Sequence, residues 1–131
     1  VTDVSGTDDL CVGWRKAETY QANVDDYDEA AWLGQGQGAA GRINIETILN
    51  AAATVTTNTT DTWADAATKT LGVFVSATGV VTYTINGKAP TTTAAYTFDD
   101  AEVVVPFLFL LHDTDVAETT VLLEWEAGRA A

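Results

Sequence analysis

The chain has 131 residues, 47% of them hydrophobic, enough for one domain to bury a core without disulfide or metal support. Asp and Glu number 19 against 6 Lys and Arg, a net charge of -13 that repels nucleic acid phosphates and anionic membranes and so argues against both as partners. Cys11 is the single cysteine, which excludes an intrachain disulfide, a multi-cysteine zinc site and a paired-thiol redox centre.

The opening Val-Thr-Asp-Val-Ser reads as the end of a strand already under way, so the chain is expected to be part of a longer gene product. No basic, apolar and small-residue sequence of the kind that directs secretion is visible. Gly6 to Asp9 reads as a turn. Leu10 to Lys16 follows as a strand with Leu10, Val12 and Trp14 on one face, and Glu18 to Tyr20 is its expected extension. Cys11 lies in an apolar run that suits a small buried thiol.

The acidic run Asp25-Asp26-Tyr27-Asp28-Glu29 breaks the pattern, and Ala30 to Leu33 reads as a short strand or a turn. Gly34 to Gly41 carries four glycines and reads as a loop. It lacks the lysine and the strand and helix context of a phosphate-binding loop. Arg42 to Leu49 alternates Ile43 and Ile45, then less regularly Ile48. The good helix formers from Glu46 to Ala53 compete, but the β-branched residues through Thr57 favour a strand. Asn58 to Thr62 reads as a polar turn, and Trp63 to Thr68 as a brief connection.

The clearest signal spans Lys69 to Pro90. Leu71, Val73 and Val75 alternate, a turn follows at Ser76 to Gly79, and Val81, Tyr83 and Ile85 resume the alternation up to Asn86-Gly87. This is a β-hairpin followed by a second tight turn. Tyr96 to Phe98 reads as a short strand or edge and Asp99-Asp100 as a turn. Val103 to Leu111 is apolar on both faces, the pattern of a central strand covered on two sides, although Pro106 demands an edge or a bulge. The run is too short to cross a bilayer as a helix. Thr119 to Glu126 reads as a last strand. Short strands between turn signals, with almost no helix, predict a single all-β domain over residues 1–131, an antiparallel β-sandwich.

Thr70 to Lys88, with Leu71, Val73, Val75, Gly79, Tyr83, Ile85 and Asn86-Gly87, resembles the hairpin of concanavalin A-like jelly rolls. Val-Val-Pro-Phe-Leu-Phe-Leu-Leu-His and Val-Leu-Leu-Glu-Trp-Glu resemble the strand pair that ends such sandwiches. A longer resemblance, from about Leu10 to Glu126, is to tailed-bacteriophage virion proteins. It is carried by Asp-Leu-Cys-Val-Gly-Trp-Arg-Lys-Ala-Glu-Thr-Tyr, Asp-Tyr-Asp-Glu-Ala-Ala, Ile-Asn-Ile-Glu-Thr-Ile-Leu-Asn and the run Val104 to Asp115. That resemblance implies a capsid decoration or cement protein on the virion surface. It also implies a homo-oligomer with the major capsid protein or other virion proteins as partners, and no enzymatic role.

No motif in the chain identifies a reaction. Glycosidases of the concanavalin-like class need paired carboxylates flanking one bond. Glu124 and Glu126 approach that pattern but lack the intervening Asp. His112 is the sole histidine, and no nucleophile elbow surrounds Ser5, Ser76 or Cys11 to complete a triad. Asp25, Asp26, Asp28 and Glu29, or Asp113 and Asp115, offer oxygen ligands for Ca2+, but without the spacing of an EF-hand, and a solvated acidic loop is the default. No cofactor is otherwise expected.

Among the aromatics, Trp14 and Trp125 occupy alternating apolar positions and are expected in the core. Trp32 and Trp63 fall near loops and, with Tyr27, are the candidate contacts for a subunit or a glycan. A lectin-like adhesion module of the same fold is therefore the alternative function. Asn58-Thr59-Thr60 matches a glycosylation acceptor, of consequence only in a eukaryotic secretory setting.

Overall fold

The computed structural model describes residues 7–35, 41–112 and 124–128. Their regular structure is seven strands and one 3-10 turn: β1 (Thr7–Lys16), the turn Val24–Asp26, β2 (Ala30–Gln35), β3 (Arg42–Ile48), β4 (Val55–Thr62), β5 (Leu71–Val75), β6 (Val81–Ile85) and β7 (Val104–His112). Among the described residues no helix is long and apolar enough to cross a membrane.

Two antiparallel sheets account for all seven strands: a five-stranded sheet in the order β4-β3-β2-β1-β7 and the hairpin β5-β6. Register decides which side chains share a face, because directly opposed residues point the same way. Leu10, Val12 and Trp14 of β1 stand opposite Gln35, Leu33 and Ala31 of β2, and Leu33 stands opposite Ile45 of β3. This face meets the hairpin. Leu10, Ala31, Leu33, Ile43 and Ile45 pack with Val81, Tyr83, Ile85, Trp63, Tyr96 and Phe98 in one buried cluster. Trp14 joins the layers by donating Nε1–H to the Val73 carbonyl at 2.9 Å. The result is a two-layer, all-β arrangement with the larger core between the sheets.

The other face of the large sheet has its own, smaller core. Cys11, Ala30, Trp32, Ile48 and Phe107 pack there beneath Val24 and Tyr27 of the β1–β2 connection. Gly13 and Gly34 make this possible. A Cβ on Gly34 would overlap the Leu10 carbonyl oxygen, and one on Gly13 would meet the Ala31 carbonyl and the Trp32 backbone.

The hairpin is as its alternation predicts. Gly79 donates its N–H to the Ser76 carbonyl at 3.0 Å, and the Ser76 hydroxyl accepts from Val80 N–H at 3.1 Å. At the second turn Asn86 (φ 52°) and Gly87 (φ 76°) both adopt left-handed backbone. It reverses the chain from Ile85 to Lys88, so it leads out of β6. Tyr96 to Phe98 lies along the β6 edge as expected, through the bridge Val80–Thr97 and the bond from Val81 N–H to the Tyr96 carbonyl at 3.0 Å.

Several expectations need correction. Glu18 to Tyr20 does not extend β1, because Lys16 and Ala17 direct their N–H groups to the carbonyls of Glu29 and Val103 and the chain turns away. Ala30 to Leu33 is a full strand that continues through Gly34 and Gln35, two residues into the expected loop. Cross-strand pairing to Cys11 and Leu10 holds those residues in place.

The expected turn at Asn58 to Thr62 belongs to β4. Its turn chemistry survives as a bulge: Asn58 Oδ1 accepts from Thr60 N–H at 2.8 Å, Thr60 has φ 66°, and the register jumps from Asn44–Asn58 to Arg42–Thr62. The run Val103 to Leu111 forms one of the two outer strands of its sheet among the described residues, the other being β4; it pairs with β1 alone, and Pro106 stands there opposite Trp14. Of the last predicted strand, residues 119–123 lie outside the described residues. Glu124 to Glu126 are exposed and not in a strand, and Trp125 is 42% exposed, so it is not core.

Candidate functional site

A group of polar residues of the large sheet gathers on the face away from the hairpin. β3 alternates Ile43 and Ile45 toward the inter-sheet core with Arg42, Asn44 and Glu46 on the opposite side. Together with Asp9 of β1, Asp25 of the 3-10 turn, and Thr54 and Thr56 at β4, they line an open cleft of about 310 Å³.

Glu46 is the most constrained group in the cleft. It stands directly opposite Trp32 in the β2–β3 register, and Trp32 Nε1–H donates to its Oε2 at 3.1 Å. Thr56 donates its hydroxyl to Oε1 at 3.1 Å. Burial pushes the Glu46 carboxyl above the usual carboxylate range. The Thr56 bond opposes that, and the nearby charges of Asp25 and Asp9 reinforce it. Asp25 is held by the Thr54 hydroxyl at 2.7 Å, while Asn23 caps the turn by accepting from Asp25 N–H at 3.2 Å. The Cys11 thiol lies buried nearby and is pushed up, first by burial and then by the charges of Asp9, Glu46 and Asp25, so it stays a neutral thiol. The cleft thus offers carboxylate acceptors around one guanidinium, a surface that accepts cationic or hydrogen-bond-donating groups. It presents no activated nucleophile among the described residues.

A second acidic group forms where β1 ends. Lys16 Nζ bridges Asp28 at 2.7 Å and Glu102 at 2.8 Å, and these bonds hold its ammonium well above the usual lysine range. Glu29 is fully buried beside it. Its Oε2 accepts from Asp99 N–H at 3.1 Å, its Oε1 has no partner, and burial raises its carboxyl.

The candidate Ca2+ ligands therefore do not converge. Asp25 turns to Thr54, Asp28 to Lys16 and Glu29 to Asp99, and Asp26 is exposed. Among the described residues no group of three or more His, Cys, Asp or Glu is arranged to hold a metal ion. Asp113 and Asp115, like Ser5, lie outside the described residues. Ser76 is committed to its turn.

Trp32, Trp63 and Tyr27, expected near the surface, are interior, at 1%, 7% and 3% exposure. Trp32 packs edge-on against Phe107, Trp63 donates Nε1–H to the Ala67 carbonyl at 2.9 Å, and Tyr27 lies between Phe107 and the Arg15 guanidinium. Their proximity to loops in sequence misled because segments distant in the chain close over them, Phe107 over Trp32 and Tyr27 and the inter-sheet core around Trp63. The cleft itself was not foreseen. Its signal was present in Arg42-Ile43-Asn44-Ile45-Glu46, where polar residues alternate strictly with isoleucines.

Exposed large apolar side chains are spread over the described residues, with Tyr20, Leu49, Val55, Phe74, Val80 and Trp125 among them, and β7 carries the densest run. Leu108, Leu110 and Leu111 of β7 are each 40% exposed, and Val103 just before it is 68% exposed. Leu108 and Leu110 stand opposite Val12 and Leu10 on the hairpin-facing side of the sheet.

These features define the class: an antiparallel two-layer β protein with an acidic cleft on one face and an apolar outer strand. Comparison with protein-family models, with curated proteins and with solved structures finds no match for this chain.

Proposed function

We propose that the chain is a structural subunit of a phage particle, a decoration or cement protein of jelly-roll, concanavalin A-like type that docks on the capsid as a homo-oligomer. The observation that carries this reading is the run of exposed apolar side chains on β7, Leu108 and Leu110 on one face of the sheet and Leu111 on the other, on a chain of net charge -13. A run of exposed apolar side chains on one strand of an acidic protein suits the core of an interface with a polar surround. The acidic surface keeps free copies apart and steers them toward basic patches on a shell, and repeated display lets modest single-site affinity suffice. The assignment to a phage particle is the expectation that the resemblance of Leu10 to Glu126 implies. The glycan-binding alternative is less well supported, because the indoles of Trp32 and Trp63 are buried.

The test is a particle that lacks the protein. Heads should still assemble but lose resistance to heat or osmotic shock, and mass spectrometry of intact virions should count hundreds of copies per particle. Equal robustness with and without the protein sinks the cement role, and a handful of copies moves it to the tail.

A further inference from the structure

The cleft on the β3 face holds polar groups that the protein leaves uncommitted. Asn44 is only 5% exposed and lines the cleft, yet its side-chain amide forms no hydrogen bond among the described residues. Strand alternation turns it to the cleft side, because Ile43 and Ile45 beside it enter the inter-sheet core. An amide so far withdrawn from water gains most from a partner that enters the cleft.

Arg42 stands two residues away on the same face. Its guanidinium makes no ion pair among the described residues, although Asp9, Asp25 and Glu46 line the same cleft. Asp25 accepts from Thr54 at Oδ1 and has no hydrogen bond at Oδ2 among the described residues. Glu46, by contrast, is engaged at both oxygens, by Trp32 and by Thr56. Arg42, Asp25 and Thr56 are exposed, so the mouth of the cleft is open to solvent.

A cation, an anion and an amide that both donates and accepts therefore share one space of about 310 Å³. Charge narrows the ligand. A purely cationic molecule meets repulsion from Arg42 and leaves it unpaired, and a purely anionic one is repelled by Asp25 and Asp9. A molecule that carries both signs close together suits both ends, its carboxylate on Arg42 and its ammonium on Asp25, with the Asn44 amide donating to the first and accepting from the second. Residues two apart on a strand are separated by about 6–7 Å, so the Arg42 and Asn44 side chains can meet on one small molecule. Among the described residues the lining contains no aliphatic or aromatic side chain, which favours a small polar body. We propose that the cleft binds a free α-amino acid with a small polar side chain through Arg42, Asn44 and Asp25. The site does not involve β7, so it stands or falls separately from the assembly reading.

The probe is L-serine, titrated into the full chain by calorimetry, with the Asn44 side-chain amide protons followed by heteronuclear NMR. Two analogues each delete one charge: ethanolamine lacks the carboxylate, and β-hydroxypropionate lacks the ammonium. The expected result is saturable binding of serine that shifts the Asn44 amide protons, with either analogue at least about tenfold weaker because it loses a charge-assisted bond. Arg42→Gln should reduce serine to the level of ethanolamine, and Asp25→Asn should reduce it to the level of β-hydroxypropionate. Both positions are exposed, and an Asn at the second retains an oxygen for Thr54, so neither substitution disturbs the core.

Absence of saturable serine binding overturns the proposal on the unmodified protein. Equal binding of ethanolamine also overturns it and makes the cleft a general cation site. Glycerol binding as tightly as serine overturns it in favour of a polyol site. Binding that leaves the Asn44 amide unmoved, or that survives Arg42→Gln unchanged, places the amino acid elsewhere and overturns it too.

Discussion

Trp32 and Glu46 face each other across β2 and β3, and the indole N–H donates to the carboxylate at 3.1 Å inside a buried pair. The contact ties the smaller core to the wall of the acidic cleft, since Trp32 also packs on Phe107 while Glu46 reaches Thr56 and lines the cleft. Removing the donor separates the two roles of Trp32. Trp32→Phe should keep much of the ring packing and lose the hydrogen bond, at about 1–2 kcal/mol. Trp32→Ala should cost about 3–5 kcal/mol, because it also opens a cavity beside Phe107. Urea denaturation of the two variants measures both, and equal losses would show that the hydrogen bond carries the whole effect.

Protonation of Glu46 couples the cleft to pH. Burial holds its folded-state value above the ordinary carboxylate value of 4.5, so the folded chain keeps the proton after the unfolded chain has released it. Stability from this group is therefore greatest below the unfolded value and falls as pH rises through the interval between the two. Glu46→Gln removes that slope while retaining an oxygen for the Trp32 bond. Between about pH 4 and about pH 7 the variant should gain stability relative to the parent. Paired denaturation curves at the two pH values check it, and parallel curves would contradict the shift.

Gly34 is required by the closeness of β1 and β2. Its missing Cβ leaves room for the Leu10 carbonyl, and that oxygen is backbone that cannot rotate aside. Gly34→Ala should force the strands apart and cost about 3 kcal/mol or more. Gly128→Ala, whose Cβ meets nothing within 4 Å, should be silent in the same thermal melt.

The Asn86-Gly87 turn tests a different demand, on backbone conformation. Asn86 Oδ1 accepts from Thr70 N–H at 3.0 Å, and its own N–H donates to the Thr70 carbonyl at 2.7 Å, so the turn pins the start of β5. Gly87 has open space around its absent Cβ but φ of 76°. Gly87→Ala should therefore cost about 1–2 kcal/mol through backbone strain alone. Asn86→Ala loses the side-chain bond as well as a residue that tolerates φ 52°, and should cost at least as much by chemical denaturation.

Local pattern was enough for the hairpin, for β3 and for β1 from Leu10 onward, whereas the turn expected at Gly6 to Asp9 is already strand from Thr7. Leu71, Val73, Val75 and Val81, Tyr83, Ile85 alternate with period two, and Asn86-Gly87 carries the residue types a left-handed turn needs, so both strands and the turn were legible in sequence. The same holds for Ile43 and Ile45. What depended on other parts of the chain was not legible. Asn58 to Thr62 has turn composition, yet pairing with β3 absorbs it as a bulge. Val103 to Leu111 is apolar on both faces, but composition cannot report whether a neighbour lies on the second side, and tertiary order makes it one of the two outer strands of its sheet among the described residues.

Burial of Trp32, Trp63 and Tyr27 was decided in the same way, by segments far from them in sequence: Phe107 closes over Trp32 and Tyr27, and the sheet-to-hairpin core encloses Trp63. The acidic cleft joins Asp9, Asp25, Arg42 and Glu46 from separate stretches. Strand formation is a local property of alternation and turn chemistry. Faces, edges and sites are properties of register and layer order, which only long-range packing sets, and here they yield a two-layer scaffold with an acidic cleft on one face and an apolar outer strand.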